Sequence, residues 1–441
     1  MIQLALLLIG ADAMRRRWWV LAGLGIALLV LAALLVADLV DGLTFVAAQA
    51  FGLVFLAQGV VALIGVARAT TLGGRLLHGL KAGLMLLAGL LVMGHMYNSE
   101  HLLAWLLCIS LVLDGLTRIG LIALVRFRRW ALSVAIAAAE IGVAILLVAE
   151  WPLPHAYNVP VCIAILLMGW GLDVLRIGLW LRREPEEMGL FALPAFGARN
   201  WNENAPVLVR SDVPEAPPES PLTVRIWTPL GSAEVTERRP VVDRYLAARD
   251  VNGGMSTGHS ALEYGALYIS HWPGHEIDPN LPVMQLFDGG KAGDMPGLFQ
   301  PSYAAEHAAW CACTQTVQLE HFSVRRLRAY WAGYRQDATY NLTNRNCSSA
   351  VVGALDSALE GVLLSRFPLL RLIALQFNPD LWAAAYLRSR AHSMCWTPGM
   401  VLDYAQALKR IVERSRLPWT VRVAAFLTRL KADRTMRETA G

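Results

Sequence analysis

The sequence predicts a multi-domain protein: an all-α transmembrane bundle of six helices in three hairpins, followed by an α+β domain. Three observations carry that expectation. Of 441 residues, 56% are hydrophobic and only 17% charged, against roughly 25% charged in an ordinary soluble domain. The apolar excess crowds into the first 183 positions, in runs that match the roughly 20 helical residues needed to cross a hydrocarbon core. Arginines fall in every second loop between those runs, the pattern that sets the orientation of membrane helices. The same figures exclude disordered, collagen-like and disulfide-stapled classes. A net charge of +5 is too small to argue for nucleic acid as a partner. No zinc-finger, P-loop or dinucleotide-binding spacing occurs.

The expected membrane domain occupies residues 1–183, with spans near Trp18–Val40, Thr44–Ala67, Leu76–Met96, Leu102–Val125, Trp130–Trp151 and Val159–Leu181. Helices are required because backbone N–H and C=O groups in lipid must bond internally. Arg15, Arg16 and Arg17 precede the first span, Arg68 and Arg75 follow the second, Arg126, Arg128 and Arg129 follow the fourth, and Arg182 and Arg183 follow the sixth. The alternate loops Asp41–Leu43, Tyr97–His101 and Glu150–Asn158 carry neither Lys nor Arg. A multi-pass protein of the inner (plasma) membrane with both termini cytoplasmic is the expectation. The apolar run Ile2–Ile9 stands before its basic cluster, the reverse of a secretory leader, so it is expected to be retained.

Charges inside the spans need partners. Asp114 with Arg118 and Asp173 with Arg176 are spaced to pair on their own helix faces. Glu140 has no such neighbour and is expected to face the bundle interior. These pairs read as structural, in preference to an ion path. The segment Leu113-Asp114-Gly115-Leu116-Thr117-Arg118-Ile119-Gly120 is echoed by Leu172-Asp173-Val174-Leu175-Arg176-Ile177-Gly178, and Leu56-Ala57-Gln58-Gly59 holds the equivalent place in the second span. Three related hairpins with small residues at helix contacts resemble the HdeD-type acid-resistance membrane family.

Residues 184–221 form a Pro/Glu-rich linker, with Glu184-Pro185-Glu186-Glu187 at one end and Pro214-Glu215-Ala216-Pro217-Pro218-Glu219 at the other. Residues 222–360 have the size of one domain. Val224 and Ile226 alternate in a strand, Leu262–Ile269 reads as a strand pair or hairpin, and Thr314–Glu320 alternates again. Ser323 is an N-cap for a helix carrying Leu327, Tyr330 and Tyr334, and Val351, Leu355 and Leu359 mark a second helix after Cys347. Residues 361–441 read as a helical basic tail that either lies on anionic lipid or covers the domain core.

Cys347 has the one setting among six cysteines that suggests chemistry. It follows Asn346 at the start of an amphipathic helix, where partial positive charge and free N–H groups favour thiolate and can hold an oxyanion. Acyl transfer then needs an imidazole to move protons. His259 and His271 flank Gly265, so two strands joined there would bring them together. His275 is a weaker substitute for His271, because it follows Pro273-Gly274.

His259 opening a strand, a turn, His271 closing a second strand, and Asn346-Cys347 opening a helix resemble the circularly permuted papain-like cysteine hydrolases, NlpC-like and lecithin retinol acyltransferase-like. The resemblance implies an α+β permuted papain-like fold over about Gly258–Glu360, with Cys347 as nucleophile, His259 as base and His271 as third member. It implies no cofactor and no metal, and a peptide, amide or ester substrate near the membrane surface. Ser348-Ser349 stands where the acyltransferases carry an acidic-histidine pair, which favours a peptidase or amidase over a thiol acyltransferase acting on lipid. Three other readings stay open: a periplasmic peptidoglycan peptidase, opposed by the arginine pattern; a zinc site at His307, Cys311, Cys313 and His321; and a non-enzymatic acid-stress membrane protein with a binding module.

Overall fold

The computed structural model describes residues 1–41, 72–93, 99–124, 130–151, 155–183, 215–229, 255–275, 290–393 and 395–416, with short stretches between 52 and 66 and at 248–249. It is mostly helical at its N-terminal end and α+β beyond. After two short helices, α1 (Ile2–Ile9) and α2 (Ala11–Arg15), come α3 (Trp18–Asp41), α4 (Leu72–Val92), α5 (Ser99–Leu124), α6 (Trp130–Val148) and α7 (His155–Arg183). Three stretches are long and apolar enough to cross a membrane: Trp18–Ala37 of α3, all of α6, and Pro160–Arg183 of α7. The second expected span, Thr44–Ala67, lies largely outside the described residues.

Glycines set how closely these helices approach. A Cβ on Gly25 of α3 would stand 2.8 Å from the Gly171 carbonyl oxygen of α7, and one on Gly178 would stand 2.8 Å from the Ala22 nitrogen. Backbone therefore packs on backbone, the usual device where lipid supplies no hydrophobic drive between helices. Outward residues such as Leu34, Ile145 and Trp170 are more than half exposed, the surface that hydrocarbon would cover. Glu140 meets the Arg118 guanidinium at 3.2 Å, and Arg118 also bonds Asp114 at 2.8 Å, as the spacing requires.

The α+β region holds a four-stranded antiparallel sheet in the order β5-β4-β1-β8, made of β1 (Leu222–Trp227), β4 (His259–Tyr264), β5 (Leu267–Ile269) and β8 (Gln315–Leu319). A three-stranded sheet, β6-β7-β9, joins His271–Pro273, Met295–Phe299 and Thr339–Tyr340, and β2 (Ala248–Arg249) pairs with β3 (Met255–Ser256). Six helices pack with the sheets: α8 (Tyr303–Ala309), α9 (Val324–Tyr334), α10 (Cys347–Leu359), α11 (Pro368–Gln376), α12 (Pro379–Ser393) and α13 (Pro398–Arg416). Ser323 caps α9 by accepting from the Arg326 N–H, and the alternation of β1 buries Leu222, Val224 and Ile226.

Two expected domain boundaries do not divide the packing. The first residues, assigned with the membrane domain, belong to the core of the α+β region: Leu4 through Ile9 are at most 1% exposed and share one hydrophobic cluster with Val224, Leu262, Leu355 and Leu372. An eight-residue helix that is apolar all round is too short to span lipid and stable only when surrounded. Its end is stitched in by backbone, with the Gly361 N–H donating to the Leu7 carbonyl at 3.0 Å and the Leu363 N–H to the Leu8 carbonyl at 2.8 Å. Gly10 turns the chain at φ 95°, where a side chain would strike Gly361. The break expected after Glu360 is likewise crossed by the core, because Leu372, Leu381, Tyr404, Leu408 and Ile411 of α11–α13 lie in the same cluster.

Leu7→Ala should therefore cost the α+β region about 2–5 kcal/mol. Limited proteolysis of the full chain should show cleavage rising within residues 215–416 while α3–α7 stay protected by lipid. Unchanged protease resistance there would show that α1 is not part of that core.

Candidate active site

The site is built where two sheet edges meet one helix start. Asn346 ends an extended segment and caps α10: its side chain accepts from the Ser349 N–H at 2.8 Å, and the Ser349 hydroxyl returns a bond from the Asn346 N–H at 2.8 Å. This reciprocal capping box makes Cys347 the first helical residue. The preceding loop is pinned by Arg345, which donates to the carbonyls of Thr339 at 2.9 Å and Tyr334 at 3.0 Å. The Asn346 amide also donates to the carbonyls of Leu342 at 2.8 Å and Trp396 at 3.1 Å. Cys347 is buried, with 7% of its surface exposed.

His259 opens β4 opposite Trp227 of β1, where its ring and the Cys347 sulfur are near enough for each to shift the other's pKa. Its Nε2 lies 3.0 Å from Glu306 Oε1 and 2.9 Å from Ser270 Oγ. The expected pair of Cys347 and His259 is thus brought together by the fold.

The expected third member is not part of the site. His271 turns to the other side, where Nδ1 lies 3.0 Å from the Tyr334 hydroxyl and Nε2 lies 3.2 Å from the Ala338 carbonyl. Turn length explains the difference. A His259–His271 pair needs a turn centred on Gly265 alone, but Tyr264 faces Leu267, so Gly265 and Ala266 form a two-residue turn. The ladder ends at Leu262 and Ile269, but its register counted onward sets Trp272, not His271, level with His259, and their rings lie 4.9 Å apart. One residue of register moves a side chain to the opposite face, and His271 accordingly joins the second sheet opposite Phe299. His275 is exposed.

Glu306 takes the place intended for His271. It sits on α8, whose start is capped by Ser302 accepting from the Ala305 N–H. Glu306 is 1% exposed. Its carboxylate accepts from Ser270 Oγ at 2.9 Å, and from the Trp272 indole and the Tyr268 hydroxyl. The zinc constellation does not form: no group of three or more metal-ligating side chains occurs among the described residues, and His307 instead stacks on Tyr303.

Electrostatics follow from this geometry. Burial alone would lower the His259 pKa, but the Cys347 sulfur and then the Glu306 carboxylate raise it to about 9. Burial pushes the Cys347 thiol up, yet the His259 charge, the hydrogen bond to His259 and the Ser260 N–H together bring it below an ordinary thiol. Cys395, half-buried and touching Asn346, has no such imidazole, and burial pushes it up to about 12. Glu306 is raised by burial but held below its usual range by His259, Tyr268 and Ser270. Burial depresses His271 to about 4, so it stays neutral. The arrangement is a cysteine–imidazole–carboxylate row, screened from water by Trp227, whose ring lies 5.3 Å from His259, and by Trp272.

Backbone and hydroxyl donors complete the setting. Burial and then the Cys347 charge push the Tyr340 hydroxyl well above an ordinary phenol, so a buried phenol stands near the sulfur at the helix start. The Ser260 hydroxyl lies 3.2 Å from that of Ser348. No family model matches the chain, and no curated protein or solved structure is significantly similar to it.

Sequence reasoning missed Glu306 and Tyr340. The one signal available was a lone acid among alanines in Tyr303-Ala304-Ala305-Glu306-His307-Ala308-Ala309 after a capping serine, and attention went instead to the adjacent histidine.

The Cys347 alkylation rate, followed with iodoacetamide against pH, should rise at a pH below that of a free thiol, near 8.5. Glu306→Gln should shift the profile to higher pH, because the neutral amide no longer holds His259 charged. His271→Gln should leave it in place. Equal shifts in both variants would return His271 to the site.

Proposed function

We propose that the protein is a membrane-tethered cysteine hydrolase of peptidase or amidase type, with a permuted papain-like α+β region. The observation that carries this reading is the Cys347–His259–Glu306 row, with His259 Nε2 3.0 Å from Glu306 and its ring coupled electrostatically to the cysteine at the start of a capped helix. A buried thiolate has little structural use, whereas a nucleophile, a base and an orienting carboxylate in sequence are what acyl transfer demands.

In the mechanism, the Cys347 thiolate attacks the carbonyl carbon of an amide or ester, forming a C–S bond as the carbonyl electrons move to oxygen. We assign the Cys347 N–H, at the helix start, and the Tyr340 hydroxyl as the donors for that oxyanion. The imidazolium of His259 gives its proton to the departing amine or alcohol as the C–N or C–O bond breaks. Water then attacks the thioester while His259 takes its proton, and Cys347 leaves as thiolate. Glu306 does not exchange protons in this scheme; it orients the ring and stabilises its charge.

Placement at the membrane is supported by the three membrane-length helices and by the internal repeat that resembles the HdeD-type family. Residues 2–9 and 222–412 share one core, so the chain between them crosses the bilayer an even number of times. Three qualifying helices are odd, and α4 and α5 supply further apolar candidates, in keeping with six spans. The arginines at both ends of that stretch favour the cytoplasmic side for the core.

Cys347→Ala should abolish both iodoacetamide-probe labelling at this position and acyl-enzyme formation from a p-nitrophenyl ester, while the protein still inserts in membranes. Tyr340→Phe should spare alkylation yet lower turnover on the order of 10²-fold, the usual effect of losing one oxyanion donor. Ester turnover unaltered by Cys347→Ala is the outcome that refutes the proposal.

A further inference from the structure

The row Leu364, Phe367, Leu370 and Ile373, on α11 and the turn before it, is 57–64% exposed. The opposite face of the same helix buries Leu372 and Leu375 in the core that contains α1. α11 is thus apolar on both faces, and only the inner one is covered within the described residues. Its position relative to the membrane helices follows from the backbone. The turn at Gly361–Leu363 bonds the last carbonyls of α1, Gly10 follows at once, and α2 packs on α7. Trp18, eight residues beyond Gly10, begins α3 under the Arg182 guanidinium, 4.8 Å from its ring.

A second contact comes from the neighbouring helix. Arg390 of α12 ion-pairs with Asp114 of α5. Asp114 stands ten residues before the end of α5 at Leu124, about 15 Å along the axis at 1.5 Å per residue. The face of α12 bearing Arg390 therefore lies alongside the apolar helices, below the level at which they end.

We infer that α11 is an interfacial helix whose outer row is inserted in the acyl region of the leaflet on the arginine side. Arg366, whose guanidinium lies 5.6 Å from the Phe367 ring, stands at the phosphates, and Trp19, 63% exposed, marks the same level on α3. The occupant is lipid because the row begins where two membrane-length helices end, carries a cation at its edge, and has no acidic residue from Val362 to Phe377. The α+β region is then seated on the bilayer, not suspended from a tether, and the site opens at the membrane surface.

The full-length protein, carrying p-benzoylphenylalanine in place of Leu370 or Ile373, tests this in phosphatidylcholine–phosphatidylglycerol vesicles. A third sample carries the same residue in place of Gln336, exposed in the turn after α9. Irradiation should give phospholipid adducts, read by mass, at positions 370 and 373 and at least tenfold less at 336. All three sites are exposed, so folding is not at stake. Adducts from 370 to a second copy of the chain, or to residues 417–441 of the same chain, would overturn the inference, as would equal lipid labelling at 336. None of these outcomes bears on Cys347 chemistry, so failure here and failure of the hydrolase reading are separable.

Discussion

A carboxylate with almost no access to water governs the α+β region. Removing an ion from water costs several kcal/mol even after relaxation, so Glu306 is tolerable only with its donors in place: Ser270, Trp272, Tyr268 and the charged ring of His259. These donors come from β5, from β6, from the residue between them and from β4, so satisfying one acid fixes how the two sheets meet. The charge also propagates. The Cys347 sulfur and then Glu306 raise the His259 pKa, and the His259 charge lowers that of Cys347, aided by the partial positive charge of the α10 start. Cys395, half-buried in the same loop cluster with no imidazole beside it, has its thiol raised by burial and by the Cys347 charge.

What could be read from sequence divides along a physical line. Local signals were legible. Asn346 before Cys347 marked a helix start, Ser323 marked another, and the alternation of β1 and β8 marked buried strand faces. These depend on residues a few positions apart, and the structure agrees. The neighbourhood of Cys347 and His259 was also legible, because a cysteine at a helix start and a histidine opening an apolar strand each carry their own context. Features that depend on one residue of register, or on a distant partner, were not. His271 and Trp272 differ only in turn length, and a two-residue turn at Gly265-Ala266 decides between them. Glu306 is reached across a separate helix with no pattern to announce it. Ile2–Ile9 stands apart from the spans by length and from a leader by its charge order, and only the assembled core reveals why Leu4–Ile9 run without a polar residue.

The packing of α1 changes what the membrane helices are to the rest of the chain. A bundle joined only through a Pro/Glu-rich linker would leave the α+β region free to turn. Here the chain enters the first membrane helix directly out of the hydrophobic core, with α2 as the only element between them. The core and the start of α3 therefore move as one piece, and rotation of the site relative to the bilayer would have to break the α1 stitching at Gly361 and Leu363.

The same logic reaches the nucleophile through α12. Arg390 fixes that helix against Asp114 of α5, and α12 is closed onto the core by Arg388, which meets Asp356 of α10 at 2.8 Å. The segment just beyond α12 supplies the Trp396 carbonyl and the Cys395 sulfur that hold the Asn346 amide. Asn346 is the cap whose geometry presents Cys347. One helix thus touches the membrane helices on one side and supports the first turn of α10 on the other. Residues 361–416 are therefore part of the site's scaffold: Arg388 and Tyr404 satisfy the buried Asp356 of α10, and the Trp396 carbonyl joins that of Leu342 in holding the Asn346 amide.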